Sequence, residues 1–134
     1  MKLGFVIIYV DDVKKVLHFY KEAFGLKIRM EYEENGNVLY GEMETEGAIL
    51  GFGSHEMGQF TLNGKYQHIT PNNDPVGQEV VFVHDDVNVV YNVAVQAGAI
   101  SISKPEEKPW GQTVAYVRSI EGTLIEICSP MSGA

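Results

Sequence analysis

The sequence predicts an α+β protein made of two tandem βαβββ modules, which form a curved mixed sheet with helices outside and a concave cavity. The first observation behind this prediction is an order of strand, helix and three strands that occurs twice. The second is that matching signals recur at nearly constant offsets. Asp11-Asp12-Val13 corresponds to Asp85-Asp86-Val87 at an offset of 74, and Glu46-Gly47 corresponds to Glu121-Gly122 at an offset of 75.

The first module covers about residues 3–53 and begins with an apolar strand. Residues 4–10 are apolar on both faces, so we expect them to be buried on both. Asp11 is the predicted N-cap of a helix, because apolar residues at helical spacing follow it until Gly25. Asn35-Gly36 is typical of a hairpin turn. The module's other strands are predicted at residues 26–32, 37–43 and 47–53.

The middle segment, residues 54–77, interrupts this order. It is rich in glycine and proline and contains the cluster Asn72-Asn73-Asp74. We interpret it as a linker with at most a short strand or turn around residues 60–67. Long connections inside compact domains are often functional loops. The polar residues of this segment are therefore either solvent-exposed loop residues or contributors to the ligand-binding site.

The second module covers about residues 78–129 and repeats the first. We predict strands at residues 78–83, 99–103, 112–118 and 123–128. Asp85 or Asp86 is expected to cap the helix, and Gly98 to end it. The last strand is apolar except for Glu126, a carboxylate that is costly to bury unless it is paired, hydrogen-bonded or metal-bound.

Composition narrows the classes of function. The chain has 134 residues, a formal net charge of −8 and a pI near 4.9. One domain spanning residues 1–134 fits this length. The acidic balance disfavours nucleic acid and anionic membrane surfaces as partners. No signal peptide or membrane helix is recognised, so we expect a cytoplasmic protein. Cys128, the only cysteine, is expected to be a buried thiol.

Strand parity assigns residues to the two faces of each predicted sheet. If Val6, Ile8 and Val10 pack under the first helix, the alternate residues of that strand face the cavity. The same reasoning applies to the other strands. The predicted ligand-binding cavity, which includes Trp110 from a loop near its mouth, consists of Phe5, Ile7, Tyr9, Gly51, Glu79, Val81, Trp110, Leu124 and Glu126.

The chain resembles the vicinal oxygen chelate superfamily, which includes glyoxalase I, bleomycin-resistance proteins and extradiol dioxygenases. The resemblance covers about residues 3–129. It is carried by the order and spacing of Val10-Asp11-Asp12-Val13, His18-Phe19-Tyr20, Phe24-Gly25-Leu26, Lys108-Pro109-Trp110-Gly111-Gln112 and Gly122-Thr123-Leu124-Ile125-Glu126-Ile127. The usual Asp-Pro-x-Gly turn before the last strand is here Ser119-Ile120-Glu121-Gly122.

The resemblance implies a metal site on the concave face, with His or Glu ligands from the first and last strands of each module. The corresponding residues here are Phe5, Gly51, Glu79 and Glu126. The first two offer no ligating side chain. We therefore expect no tightly bound transition metal; if a metal is present, Glu79 and Glu126 hold a weakly bound Mg²⁺ or Mn²⁺. Catalytic residues are not assigned.

Other polar and aromatic residues leave alternatives open. His55, Glu56 and His68 lie in the middle segment as polar loop residues, or they reach over the cavity as surrogate ligands or acid/base groups. Trp110 stacks on a planar ligand or packs in the core.

Two functions are compatible with this sequence. The first is a non-catalytic binder of the bleomycin-resistance kind, with an aromatic, cationic small molecule as its ligand. The second is a metal-dependent lyase, similar to lactoylglutathione lyase, or a dioxygenase-like enzyme, with Glu79 and Glu126 as ligands. A homodimer is expected in either case, because concave faces in this superfamily are commonly completed by a second chain.

Overall fold

A computed structural model describes residues 1–131 and divides the chain into two compact units. The first is Met1–Ile69, and the second begins at Thr70. Each unit has a helix and a four-stranded mixed sheet in the order strand, helix, three strands, which confirms the α+β class and the tandem βαβββ modules. No helix in the described part of the chain is long and apolar enough to span a membrane.

The first unit has its strands in the spatial order β1-β4-β3-β2, with β1 and β4 parallel and the other pairs antiparallel. The hairpin between β2 and β3 turns at Asn35 and Gly36, whose φ angles of 53° and 81° suit the turn that the sequence predicts. Its elements are β1 (Phe5–Val10), α1 (Val13–Phe24), β2 (Lys27–Glu34), β3 (Asn37–Glu44), β4 (Ile49–Ser54) and α2 (His55–Leu62).

Helix α1 begins one residue later than the sequence predicts. Asp12, not Asp11, is the N-cap, and its side chain accepts a hydrogen bond from the Lys15 backbone N–H. The helix ends at Gly25, which has a left-handed φ of 66°. Asp11 is thereby left outside the cap, directly after β1.

The core of the first unit lies between α1 and one face of the sheet. Tyr20 and Phe52 are fully buried, with ring centroids 4.7 Å apart. Gly41 on β3 lies so close to Leu17 that a Cβ at this position would clash with that side chain. Because Leu50 and Phe52 face the helix, Gly51 and Gly53 lie on the opposite face, as strand parity predicts.

The middle segment corrects the sequence interpretation. Residues 55–62 form helix α2, where at most a turn or short strand was expected. Ser54 caps it by accepting from the Met57 N–H, and Asn63 ends it with a left-handed φ of 55°. Propensity is weak here because of Gly58, but Tyr66 packs over that glycine, at a position that leaves no room for a Cβ.

The second unit repeats the topology, with strand order β5-β8-β7-β6. Asp86 caps α3 by accepting from the Val89 N–H, which resolves the choice between Asp85 and Asp86. Ile125 and Ile127 are fully buried on the helix side of β8. The elements are β5 (Glu79–Val83), α3 (Val87–Ala97), β6 (Ile100–Glu107), β7 (Thr113–Arg118) and β8 (Leu124–Cys128).

Candidate functional site

The face of the second sheet opposite α3 carries the two carboxylates that the sequence singled out. Glu126 lies at the centre of β8, between Val81 of β5 and Tyr116 of β7 in the two registers. Glu79 is two residues before Val81 and therefore lies on the same face, diagonal to Glu126. The Tyr116 hydroxyl donates a hydrogen bond of 2.8 Å to Oε1 of Glu126.

The electrostatics of this face are those of a crowded acidic pair. Burial, together with a hydrogen bond to Glu126 and the negative charge of Glu126, raises the pKa of the Glu79 carboxyl above its ordinary value. The hydrogen bond to Glu126, together with burial, raises the pKa of Tyr116 to about 12, so this phenol stays protonated as a donor. Burial and the same carboxylates raise the pKa of the buried Cys128 thiol.

Two neighbouring carboxylates with one hydroxyl donor can do either of two things. They can share a proton, or they can receive a cation whose charge removes their repulsion. The raised pKa of Cys128 favours its thiol form over the thiolate.

On the corresponding face of the first unit, β4 has no room for a metal-ligating side chain at position 51. Gly51 lies opposite Glu42, and a Cβ on Gly51 would come within 2.7 Å of the Tyr40 hydroxyl. That hydroxyl donates to Oε2 of Glu42 at 2.7 Å, while Arg29 Nε lies 3.2 Å from Oε1. Burial and the Glu42 carboxylate raise the pKa of Tyr40. Glu42 is therefore satisfied as a buried structural carboxylate.

The four sheet positions that the superfamily resemblance implies do not fit a transition-metal site. Phe5 has no donor atom, and Gly51 has neither a donor nor space for one. Glu79 and Glu126 are oxygen donors only, which suit Mg²⁺ or Mn²⁺ better than Zn²⁺ or Ni²⁺.

The other residues of the predicted cavity lie in both units. Ile7 covers Gly51, and Tyr9 lies against Gly53 and Tyr66 in the first unit. Val81 and Leu124 lie beside the carboxylates in the second unit.

Trp110 lies in the turn after β6. It is 58% exposed and donates from Nε1 to Gln112 Oε1, so it is not a core residue.

A second cluster of polar groups lies in the first unit, where Asp11, His55 and His68 place one ligating atom each within 4.8 Å of one another. The sequence singled out His55, Glu56 and His68 but missed Asp11, which it took for a helix cap. The available signal was the pair Asp11-Asp12, since only one of two adjacent aspartates can be the N-cap of α1 and the other can serve as a ligand.

The family of the chain is indicated by comparison with known sequences. The family model described as a glyoxalase-like domain matches residues 3–132. The uncharacterized protein YraH of Bacillus subtilis is 29% identical over 128 residues, covering 95% of this chain and 97% of its own. Lactoylglutathione lyase GLX1 of Arabidopsis thaliana is 25% identical over 125 residues, covering 91% of this chain. The chain spans 42% of the length of that lyase.

Solved structures support the same fold. A glyoxalase/bleomycin resistance protein/dioxygenase family enzyme from Burkholderia phytofirmans superposes with a TM-score of 0.82 at 20% identity, covering 96% of this chain and 98% of its own. TioX from Micromonospora superposes with a TM-score of 0.73 at 19% identity, with the same coverage. At these identities the likeness concerns the fold alone.

Proposed function

The chain belongs to the glyoxalase-like domain family of the vicinal oxygen chelate superfamily, and on that premise we propose that it is a small-molecule-binding protein of the glyoxalase/bleomycin-resistance type. Its ligand is an aromatic cation. Glu79 and Glu126 receive the positive charge, and the Tyr116 hydroxyl orients Glu126. The apolar side chains Val81 and Leu124 beside them supply contacts for the ring.

The observation that supports this proposal is the placement of Glu79 and Glu126 on one face of the second sheet, where burial and the Glu126 carboxylate raise the pKa of Glu79. A carboxyl that resists ionisation because it is buried beside another carboxylate is stabilised in its charged form by an added cation. Charge-assisted hydrogen bonds from such a cation are stronger than neutral ones. The acidic balance of the whole chain, −8, also favours the approach of cations.

The alternative function is a metal-dependent lyase that uses Glu79 and Glu126 as ligands. Its support is the 25% identity with lactoylglutathione lyase GLX1. It is the weaker candidate, because the sheet positions Phe5 and Gly51 supply no ligand. Glu79 and Glu126 alone are suited to a weakly held Mg²⁺ or Mn²⁺.

The proposal is tested by titration calorimetry with 9-aminoacridine, a planar cation at neutral pH, and acridine, a planar neutral analogue. The wild type is expected to bind 9-aminoacridine more tightly than acridine. Glu126→Gln should weaken cation binding roughly tenfold or more, since a hydrogen bond to a charged group contributes about 1.5–3 kcal/mol. Binding of the neutral acridine should change little.

Glu107→Gln is the matched control, because it removes one negative charge from an exposed position on β6. It should leave both titrations unchanged. If Glu107→Gln and Glu126→Gln weaken 9-aminoacridine binding equally, only the net charge of the protein matters and the proposed site is rejected. If the wild type binds 9-aminoacridine and acridine equally tightly, a cation site is also rejected.

A further inference from the structure

Asp11 and His55 are brought together by the parallel pairing of β1 with β4. Val10 and Ser54 are partners at the ends of these strands, so the residues that follow them leave the sheet side by side. His55 Nε2 lies 3.1 Å from Oδ1 of Asp11. In open α/β sheets, ligands bind outside the carboxyl ends of parallel strands, and Asp11 and His55 follow two such ends here.

His55 is held in one orientation by its other ring nitrogen. Nδ1 lies 2.7 Å from the Tyr66 hydroxyl, and the Tyr66 ring packs against Tyr9 with centroids 5.0 Å apart. With the proton on Nδ1, the Nε2 lone pair is left free. Metal-ligating histidines are typically fixed in this way by a second hydrogen bond.

Nε2 of His55 is buried and forms no hydrogen bond within the described residues. Oδ1 of Asp11, 3.1 Å away, lies within ion-pair distance of this nitrogen. The side chain of His55 is only 17% exposed. A buried nitrogen without a partner is costly, so its retention here requires an explanation.

His68 completes the group by stacking on His55. The two ring centroids are 3.6 Å apart and the planes are parallel to within 1°. In this arrangement the nitrogen lone pairs of His55 and His68 are parallel, whereas two ligands of one ion must direct their lone pairs toward a common point. His68 and Asp11 are both exposed, so their side chains can turn toward an ion while His55 stays in place.

We propose that Asp11, His55 and His68 form a binding site for a divalent transition-metal ion, with His55 Nε2 as the anchoring ligand and Tyr66 as its hydrogen-bonded support. Two imidazoles and one carboxylate suit Zn²⁺ and Fe²⁺ and leave coordination positions open. The site lies within the first unit. It is independent of the proposed cation site at Glu79 and Glu126, and it departs from the expectation, based on the sheet positions, of no tightly bound transition metal.

The test is calorimetric titration of metal-free full-length protein with Zn²⁺, accompanied by Co²⁺ absorption spectra. One equivalent of Zn²⁺ is expected to bind and raise the melting temperature, while Mg²⁺, which prefers oxygen ligands, should do neither. Co²⁺ should show visible bands of an ion with nitrogen ligands. Asp11→Asn and His68→Asn should each weaken Zn²⁺ binding by at least about tenfold, and Tyr66→Phe by about 10–100-fold.

His18→Gln is the matched control, because it removes an exposed imidazole from α1 and should leave Zn²⁺ affinity unchanged. Melting of each metal-free variant shows whether it is folded; Asp11 and His68 are chosen for mutation because they are exposed. Absence of stoichiometric Zn²⁺ binding, or binding that both exposed-ligand variants retain, would overturn the proposal and leave the stacked rings as packing alone.

Discussion

Gly51 lies directly opposite Glu42 in the antiparallel pairing of β3 with β4. In the second unit the equivalent position on the last strand holds Glu126, and its partner is Tyr116. Each unit thus has a carboxylate hydrogen-bonded to a tyrosine on this face, but the carboxylate is on different strands. In the first unit, Tyr40 occupies the space that a side chain at position 51 would need.

Gly51→Ala is expected to lower the free energy of unfolding by about 1–3 kcal/mol, the usual cost of overpacking. The added Cβ would lie 2.7 Å from the Tyr40 hydroxyl and 3.2 Å from Ile7. Urea unfolding measures the change. Gly4→Ala is the control, since no atom lies within 4 Å of its added Cβ. If Tyr40 is the obstacle, Gly51→Ala combined with Tyr40→Phe will cost less than the sum of the single changes.

Glu126→Gln is expected to leave the stability of the free protein unchanged or to raise it. Glutamine keeps the volume and an oxygen that accepts from Tyr116, and it removes the repulsion with Glu79. Thermal melting without ligand measures the effect. A loss of about 1–3 kcal/mol would instead identify Glu126 as a structural hydrogen-bond acceptor.

The pH dependence of stability should carry a contribution from Glu79. Its carboxyl has a raised pKa in the folded protein, so the folded state holds this proton more tightly than the unfolded state. Its stabilising effect is therefore fully present below the ordinary value of 4.5 and is lost as the pH rises through the folded pKa. Glu79→Gln should remove this loss.

Urea unfolding of wild type and Glu79→Gln at a series of pH values on both sides of 4.5 measures this contribution. The stability difference should move in favour of the variant as the pH rises and then become constant. Glu107→Gln, an exposed carboxyl on β6, serves as the control. Parallel pH profiles for wild type and Glu79→Gln would contradict the raised pKa.

Arg118 should be required to hold the first residues of the second unit, Thr70 and Pro71, in their folded conformation. Its Nε donates to the Gly122 carbonyl at 3.0 Å, and its terminal nitrogens donate to the carbonyls of Thr70 and Pro71 at 2.8 and 3.2 Å. Lysine cannot reproduce this planar set of donors, so Arg118→Lys is expected to cost about 1.5–3 kcal/mol.

Limited proteolysis provides a second measurement for Arg118→Lys, with cleavage expected near residues 70–78. Lys104→Gln, an exposed cation on β6, should neither destabilise the protein nor change the cleavage pattern. Unchanged stability of Arg118→Lys would show that one of its three carbonyl contacts is enough.

The homodimer stays a prediction from the sequence, and exposed apolar side chains on two edge strands are the reason to test it. β1 and β5 each lie at one edge of their sheet, and Phe5 and Val81 are 53% and 45% exposed. Edge strands of this kind favour pairing with another chain. Light scattering at micromolar concentration should give about twice the monomer mass of 14.9 kDa, and a clean monomer would reject the prediction.

The sequence by itself determined the repeated architecture. Local rules were sufficient for it, since Gly25 and Gly98 end the helices and Asn35-Gly36 makes the hairpin. Alternation along β8 places Glu126 on the face that points away from the buried Ile125 and Ile127. These signals depend only on residues near one another in the chain, and can therefore be recognised without knowledge of the tertiary contacts. The same alternation placed Glu79 and Glu126 on one face.

Only the tertiary structure decided where Asp11, His55 and His68 meet and what closes the space at Gly51. Helix α2 was missed because Gly58 lowers its local helix propensity, whereas the packing of Tyr66 over this glycine is a contact that propensity does not contain. The cluster arises because two strand ends are adjacent in a parallel pair and a later segment folds back onto them. Contacts between residues distant in sequence depend on register and packing, which residue type alone does not specify.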